Sequence, residues 1–322
     1  MKNILAISFL KKTVAVTAIG ALSGCAAFNY TEPDAPVALS SITRLEPRPR
    51  IAVVFGSGGP RGYAHIGVIS QLEANGIKPD LIVGTSVGAL IGAFWASGLP
   101  AAQIEEKALA GGPLTLFYLS PFADRGLIHG QRLQDYVNTQ LGSSALGGLP
   151  TRMIVVATRR EDKAARFFTQ GNAGVAVRAS SAVPKVFSPV GIGGVEYEDG
   201  DVSLPLAVQA ARDAGARFVI AVDVSAHEGS APAGTPAEWL ATDAKRRARI
   251  APQLPAADFL IHPDLGYTAS PKRCYFEQSL LLGKTATEQI MPQLKAKLAE
   301  KLGVGATLSQ SQTSQLSVTK RD

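Results

Sequence analysis

Two kinds of hydrophobic segment alternate along the chain from residue 51 onward. Short, largely apolar runs predict strands at residues 51–55, 80–83, 153–157, 166–169, 218–222 and 259–261. Apolar residues at helical spacing predict helices at residues 64–76, 89–96, 131–141, 206–214 and 277–302. Apolar strands that alternate with helices indicate a sheet covered on both faces, so the pattern favours a layered α/β domain.

The first 50 residues have a different character. Three lysines precede a small-sided apolar run at residues 14–21, which predicts an export signal over residues 1–24. The following L-S-G-C at residues 22–25 resembles the bacterial lipobox, which implies that Cys25 becomes the lipidated first residue of the mature protein. The alternative is an ordinary cleaved signal with a chance cysteine. Ala26 in place of aspartate favours the outer membrane of a Gram-negative cell envelope.

Composition limits the remaining organisation. Residues 25–50 contain four prolines and no apolar period, so we expect a lipidated anchor and polar spacer there. Residues 51–303 form one predicted domain, and the Ser-, Thr- and Gln-rich residues 304–322 predict a disordered tail. Two cysteines describe no disulfide framework, and a formal net charge of +6 does not argue for nucleic acid as a partner.

The sequence G-T-S-V-G at residues 84–88 lies between a predicted strand and a predicted helix. This is the context in which G-x-S-x-G places a serine hydroxyl on a sharp turn, so Ser86 is a candidate nucleophile. Upstream, G-G-P-R-G at residues 58–62 follows the preceding strand, where glycine amides can approach a substrate oxygen. A dinucleotide-binding interpretation of this loop is disfavoured, because Arg61 occupies the third glycine position.

A serine nucleophile needs a base, and the residues alone leave two alternatives. An α/β-hydrolase order would combine Ser86, Asp199 or Asp223, and His262. The other candidate is a carboxylate of E-D-G-D at residues 198–201, although an Asp-Gly pair alone is typical of a hairpin turn.

Four blocks occur in the order found in patatin-like phospholipases, which the chain resembles: the glycine loop, residues 84–88, residues 179–189 and D-G at residues 199–200. The resemblance implies a three-layer α/β/α domain with a mainly parallel central sheet and hydrolysis of phospholipid, lysophospholipid or neutral lipid esters without metal or cofactor. It implies Ser86 as nucleophile and Asp199 as base. It also implies an oxyanion hole formed by the amides of Gly58 and Gly59 beside Arg61.

The chain departs from the family pattern after the Asp-Gly pair, where Asp201 offers an alternative base. A carboxylate with the ordinary pKa of about 4 is a poor base, so we expect the oxyanion donors to supply much of the rate enhancement. A lipid-binding envelope lipoprotein without catalysis is the non-enzymatic alternative.

Two further segments are candidates for lipid contact. Residues 113–131 are apolar among glycines and prolines, and form either an acyl-chain lip or core beneath a loop. The basic cluster at residues 245–249 on a predicted helix is either a solvated face or a contact for anionic headgroups.

Overall fold

The computed structural model describes residues 29–116, 125–142 and 145–303. The predicted signal, Cys25, the tail from residue 304 and residues 117–124 of the predicted lip lie outside the described residues. The described strands are β1 Asn29–Tyr30, β2 Ile51–Phe55, β3 Leu81–Thr85, β4 Arg152–Arg159, β5 Ala165–Phe168, β6 Val190–Ile192, β7 Val195–Asp199, β8 Phe218–Val222 and β9 Phe259–Ile261. The helices are α1 Tyr63–Ala74, α2 Val87–Ala96, α3 Ala101–Leu116, α4 Gln131–Gln140, α5 Ala173–Ser180, α6 Val208–Asp213, α7 Ala237–Ile250 and α8 Arg273–Leu302.

The strands form one mixed sheet in the order β1-β6-β7-β4-β3-β2-β8-β9, and β5 also pairs with β4. Strands β4, β3, β2, β8 and β9 are parallel neighbours, so their carboxyl ends share one edge. Strands β5 and β7 run antiparallel to β4. Ligand sites of open α/β sheets lie at the carboxyl ends of parallel strands, which directs attention to that edge.

Helices cover both faces of the sheet. Successive residues of a strand point to opposite faces, so each strand contributes side chains to two cores. Val53 and Phe55 of β2 face a core shared with α1, α2, α4, α5 and α8. Ala52 and Val54 of the same strand face a second core that includes α6. This arrangement confirms the predicted three-layer α/β/α fold.

The close crossing of α1 and α8 depends on a glycine in each helix. Helix α8 crosses α1 so closely that a Cβ at Gly283 would lie 2.2 Å from the carbonyl oxygen of Ala64. A Cβ at Gly67 of α1 would lie 2.1 Å from the carbonyl oxygen of Leu280. Although α8 has 30 residues, no helix among the described residues is both long enough and apolar enough to cross a bilayer.

Residues 29–50, the described part of the predicted anchor and polar spacer, contact the domain. Strand β1 pairs with β6, and Leu39 exchanges two backbone hydrogen bonds with Phe167 at 2.9 and 3.0 Å. Ile42 is buried in the second core. The described part of this segment therefore lies on the domain, held by backbone pairing that leaves no apolar period in the sequence.

Candidate active site

Ser86 lies on the turn between β3 and α2, in a conformation that side chains rarely adopt. Its φ of 56° and ψ of −123° are strained for a residue with a Cβ, and such strain is concentrated at functional sites. The flanking glycines are sterically required. A Cβ at Gly84 would lie 2.6 Å from Ala89 Cα, and one at Gly88 would lie 2.4 Å from the carbonyl oxygen of Phe55.

Helix α5 holds the backbone of this turn from the other side. The amide of Ser86 donates to Ser180 Oγ at 2.8 Å, and Ser180 Oγ donates to the carbonyl of Val156 in β4 at 2.5 Å. Ser180 belongs to the segment 179–189 that the sequence singled out. Its contribution is to fix the position of Ser86 relative to β4.

Asp199 ends β7 and faces Ser86 across the sheet edge. Ser86 Oγ donates to Asp199 Oδ2 at 2.7 Å, and the amide of Asp201 donates to Asp199 Oδ1 at 2.8 Å. Both side chains are largely buried, with Ser86 7% and Asp199 2% exposed. The two residues that the sequence predicted to share a site are therefore in direct contact.

Burial changes the acid-base character of Asp199. Loss of hydration raises its pKa to about 7, and the nearby Asp201 carboxylate also raises it. The hydrogen bonds from the Asp201 amide and Ser86, together with the charge of Arg246, lower the pKa by less. The expectation of an ordinary pKa near 4 is wrong, because the sequence does not reveal how completely this carboxylate is removed from water.

The glycine loop follows β2 and packs against the same turn. A Cβ at Gly62 would lie 2.3 Å from Val87, the first residue of α2, and a Cβ at Gly58 would lie 2.6 Å from Val224. The amides of Gly58 and Gly59 donate to no acceptor among the described residues. Gly59 has a φ of 54° and open space where a Cβ would be. Two amides thus remain available for a ligand oxygen.

Arg61 lies on this loop, but its guanidinium has a partner elsewhere. Its Nη2 donates to the carbonyl oxygen of Tyr267. The hydroxyl of Tyr267 donates to Asp243 of α7 at 2.5 Å. Arg61 therefore connects the glycine loop to the segment before α8.

The histidines are occupied away from Ser86. His262 Nε2 lies 3.0 Å from the carbonyl of Ser225 and 3.9 Å from Asp223, and its ring stacks on His227 with centroids 4.0 Å apart. His65 is buried, and this burial lowers its pKa to about 4. No histidine among the described residues is hydrogen-bonded to Ser86. The described residues also contain no cluster of three or more His, Cys, Asp or Glu side chains that could hold a metal ion.

Exposed apolar side chains adjoin the site. Val183 and Val186 are 40% and 39% exposed in the loop after α5, and the carbonyl of Ala182 in that loop accepts the Asp199 amide at 2.9 Å. Leu127, from the predicted lip, is 58% exposed, and its amide donates to the carbonyl of Val186 at 2.9 Å. The described end of the predicted lip thus joins an apolar surface beside the aspartate.

Sequence reasoning missed one charged contact at the site. Arg246, within the basic cluster 245–249, turns inward with 17% of its side chain exposed. Its Nη2 donates to the carbonyl of Ser57 at 2.5 Å and to Ser57 Oγ at 2.9 Å. It also lies 3.4 Å from Asp201 Oδ1, which accepts the Ser57 hydroxyl. Nothing in the run of basic residues distinguishes the inward-facing one.

The fold and this geometry define a three-layer α/β protein in which a serine on a strained turn is paired with a buried aspartate. A family model described as patatin-like phospholipase matches residues 53–212. This part of the chain belongs to the patatin-like phospholipase family, as the sequence blocks predicted.

Known proteins resemble the same region. An uncharacterized NTE family protein of Mycobacterium bovis is 34% identical over 215 residues, which cover 64% of this chain and 58% of that protein. Lysophospholipase NTE1 of Debaryomyces hansenii is 26% identical over 196 residues, covering 59% of this chain and 13% of that protein. The crystal structure of VipD from Legionella pneumophila has the same fold, with a TM-score of 0.56, 15% identity, and coverage of 79% of this chain and 70% of that one.

Proposed function

We propose that the chain is a serine acyl hydrolase that cleaves carboxylic esters of phospholipids, lysophospholipids or neutral lipids through Ser86 and Asp199. The 2.7 Å hydrogen bond from Ser86 Oγ to Asp199 Oδ2 carries this proposal. A nucleophile within reach of a carboxylate base is the arrangement that acyl transfer requires. No third group of the Ser-His-Asp type is needed in this scheme.

The reaction proceeds in two halves. Asp199 accepts the hydroxyl proton as Ser86 Oγ attacks the acyl carbonyl, and the amides of Gly58 and Gly59 face the oxyanion that forms. Asp199 returns the proton to the departing alcohol, which leaves an acyl-serine ester. Water, deprotonated by Asp199, then attacks the acyl group. The bond from the acyl carbon to Ser86 Oγ breaks, Asp199 returns the proton to Ser86 Oγ, and the fatty acid leaves. A base with a pKa of about 7 suits this role at neutral pH.

Two observations support a lipid as the substrate. The exposed Leu127, Val183 and Val186 beside Asp199 offer an apolar surface to an acyl chain. The Debaryomyces hansenii relative bears the name lysophospholipase. Lysophospholipid esters are therefore the first substrates to examine.

The membrane attachment that we propose rests on the sequence around Cys25. We infer that Cys25 is diacylglycerylated and N-acylated, which would anchor the protein to the outer membrane of a Gram-negative cell envelope. Mass spectrometry of the mature amino terminus tests this. An unmodified terminus at any other residue would show an ordinary cleaved signal instead.

A fluorophosphonate probe tests the nucleophile directly. We expect it to label the wild type and Ser41→Ala, a control at an exposed serine, but not Ser86→Ala. The same three proteins are then compared on lysophospholipid, diacyl phospholipid and triacylglycerol esters. A wild type that takes no label and hydrolyses none of these esters would favour the non-catalytic lipoprotein.

A further inference from the structure

Helix α7 places one arginine, Arg246, against the glycine loop. Ile250 is the only residue of α7 that is fully buried, so the helix lies mostly in solvent. Arg246 is the exception among its basic side chains, because its guanidinium donates to both the carbonyl and the hydroxyl of Ser57. An arginine held in this way is rigidly placed rather than a solvated surface charge.

The contact with Ser57 acts on the glycine loop. The carbonyl of Ser57 and the amide of Gly58 belong to one planar peptide unit, in which C=O and N–H point in opposite directions. A guanidinium that holds the carbonyl therefore also fixes the direction of the Gly58 N–H. A cationic donor at the carbonyl oxygen also polarises the peptide, which makes its N–H a stronger donor.

The second contact acts on charge. Arg246 lies 3.4 Å from the carboxylate of Asp201. The charge of Asp201 raises the pKa of Asp199, whereas the charge of Arg246 lowers it, so the two charges act on Asp199 in opposite directions. Arg246 thus offsets a like charge that would otherwise disfavour the ionised base.

We propose that Arg246 is a positioning residue for the hydrolysis proposed above: it orients the Ser57–Gly58 peptide so that the Gly58 amide faces the oxyanion, and it neutralises Asp201 beside the base. It touches neither substrate nor nucleophile. The inference rests on the proposed function and adds a residue outside residues 53–212, the part matched by the family.

The test compares Arg246→Gln with Arg249→Gln, which removes the same charge from an exposed position of the same helix. Hydrolysis of p-nitrophenyl butyrate is measured from pH 5 to 9, with thermal midpoints as a check on folding. We expect Arg246→Gln to lower kcat about tenfold or more, short of the 10²–10³-fold loss of a direct oxyanion donor. KM should change little. The rising limb of kcat/KM should move to higher pH in this variant and stay in place in Arg249→Gln.

Two further variants separate the roles. Arg246→Lys keeps the charge but not the planar fork, so we expect an unshifted pH limb with a reduced kcat. The double variant Arg246→Gln/Asp201→Asn removes both charges. The rising limb of kcat/KM should return toward its wild-type pH, but kcat should stay low because the Ser57 carbonyl is still not held. If Arg246→Gln does not fold, the lysine variant decides by the same two readouts.

The outcomes distinguish the two proposals. Equal kcat and equal pH limbs for Arg246→Gln and Arg249→Gln, with an active wild type, overturn the role of Arg246 and leave the hydrolase intact. A loss of activity that follows a lowered thermal midpoint, with no movement of the pH limb, also overturns it. A wild type whose hydrolysis survives Ser86→Ala refutes the proposed function itself.

Discussion

Ser86 and Asp199 are separated by 113 residues in the sequence, yet they share a hydrogen bond in a site almost closed to water. Burial of the Asp199 carboxylate affects both catalysis and stability. It makes the carboxylate a stronger base, and it makes the ionised form costly to hold in the folded protein. Both consequences can be measured by replacing one side chain.

The first residue-scale prediction concerns the identity of the base. Asp199→Ala should abolish hydrolysis, because no other carboxylate contacts Ser86 Oγ in the described part of the chain. Asp201→Ala should retain measurable activity, since only its backbone amide contacts Asp199. His262→Ala should also retain activity, whereas the Ser-His-Asp alternative expects its loss. Ester hydrolysis by the three purified variants is the measurement, and the reverse order of Asp199 and Asp201 would refute the assignment.

A second prediction links Asp199 to stability. Its pKa is raised from 3.8 to about 7 in the folded protein, so the stability it contributes is complete below about pH 4 and is lost as pH rises through 7. Asn at this position cannot ionise. Between pH 4 and pH 8 the wild type should lose up to about 4 kcal/mol of unfolding free energy that Asp199→Asn does not lose. The stability of the variant relative to the wild type should therefore rise by that amount.

Urea denaturation of both proteins across this pH range gives the comparison. The exposed Glu228→Gln removes one carboxylate as well, and its difference from the wild type should not depend on pH in the same way. A gap for Asp199→Asn that is the same at pH 4 and pH 8 would contradict a raised pKa.

The sequence predicted the pair at the site but not its surroundings. Ser86 was recognisable because glycines flank it between a strand and a helix, and Asp199 because its Asp-Gly pair stands in the order of a known family. The pKa of Asp199 and the inward turn of Arg246 depend on burial and on a contact with Ser57 across 189 residues. No local pattern encodes either of them.

At the scale of elements, agreement depended on hydrophobic pattern. Strand β2 at Ile51–Phe55 and strand β8 at Phe218–Val222 have the predicted bounds, because each is apolar throughout. Helices α3 and α5 were not predicted, since α3 contains a Gly-Gly-Pro sequence and α5 is a short run of small residues. Strand β1 has two residues and gains its pairing from β6 alone.

The crossing of α1 and α8 provides an element-scale prediction. Alanine normally stabilises a helix relative to glycine by about 1 kcal/mol. At Gly283 we expect the opposite, a loss of about 1–3 kcal/mol in the free energy of unfolding, because the added Cβ would collide with the backbone of Ala64. Gly148→Ala, where a Cβ meets open space, is the control for urea unfolding. A Gly283→Ala variant as stable as the wild type would show that the helices can separate at little cost.

At the scale of the whole molecule, residues 29–50 belong to the packed structure although the predicted domain begins at residue 51. Leu39 and Ile42 are not the only residues of this segment that contact the domain. The amide of Leu45 donates to the carbonyl of Ala214 at 3.0 Å, and the carbonyl of Asp34 accepts the amide of Asn172 at 2.7 Å. A chain that starts at residue 51 should therefore melt about 5–10 °C below one that starts at residue 29. Differential scanning calorimetry of the two chains measures this, and identical midpoints would show that the segment adds nothing to stability.

Strand β4 has a consequence for how the protein fails on heating. It pairs with β3, which ends one residue before Ser86, and with β7, which ends in Asp199, so Thr85 lies opposite Val156 and Asp199 opposite Ala157. The separation of Ser86 and Asp199 is therefore set by two ladders within the sheet, and core strands of globular proteins open only when the whole domain unfolds. Thermal inactivation should accordingly coincide with the loss of secondary structure, rather than precede it as it does in enzymes whose reacting groups lie on independently moving loops.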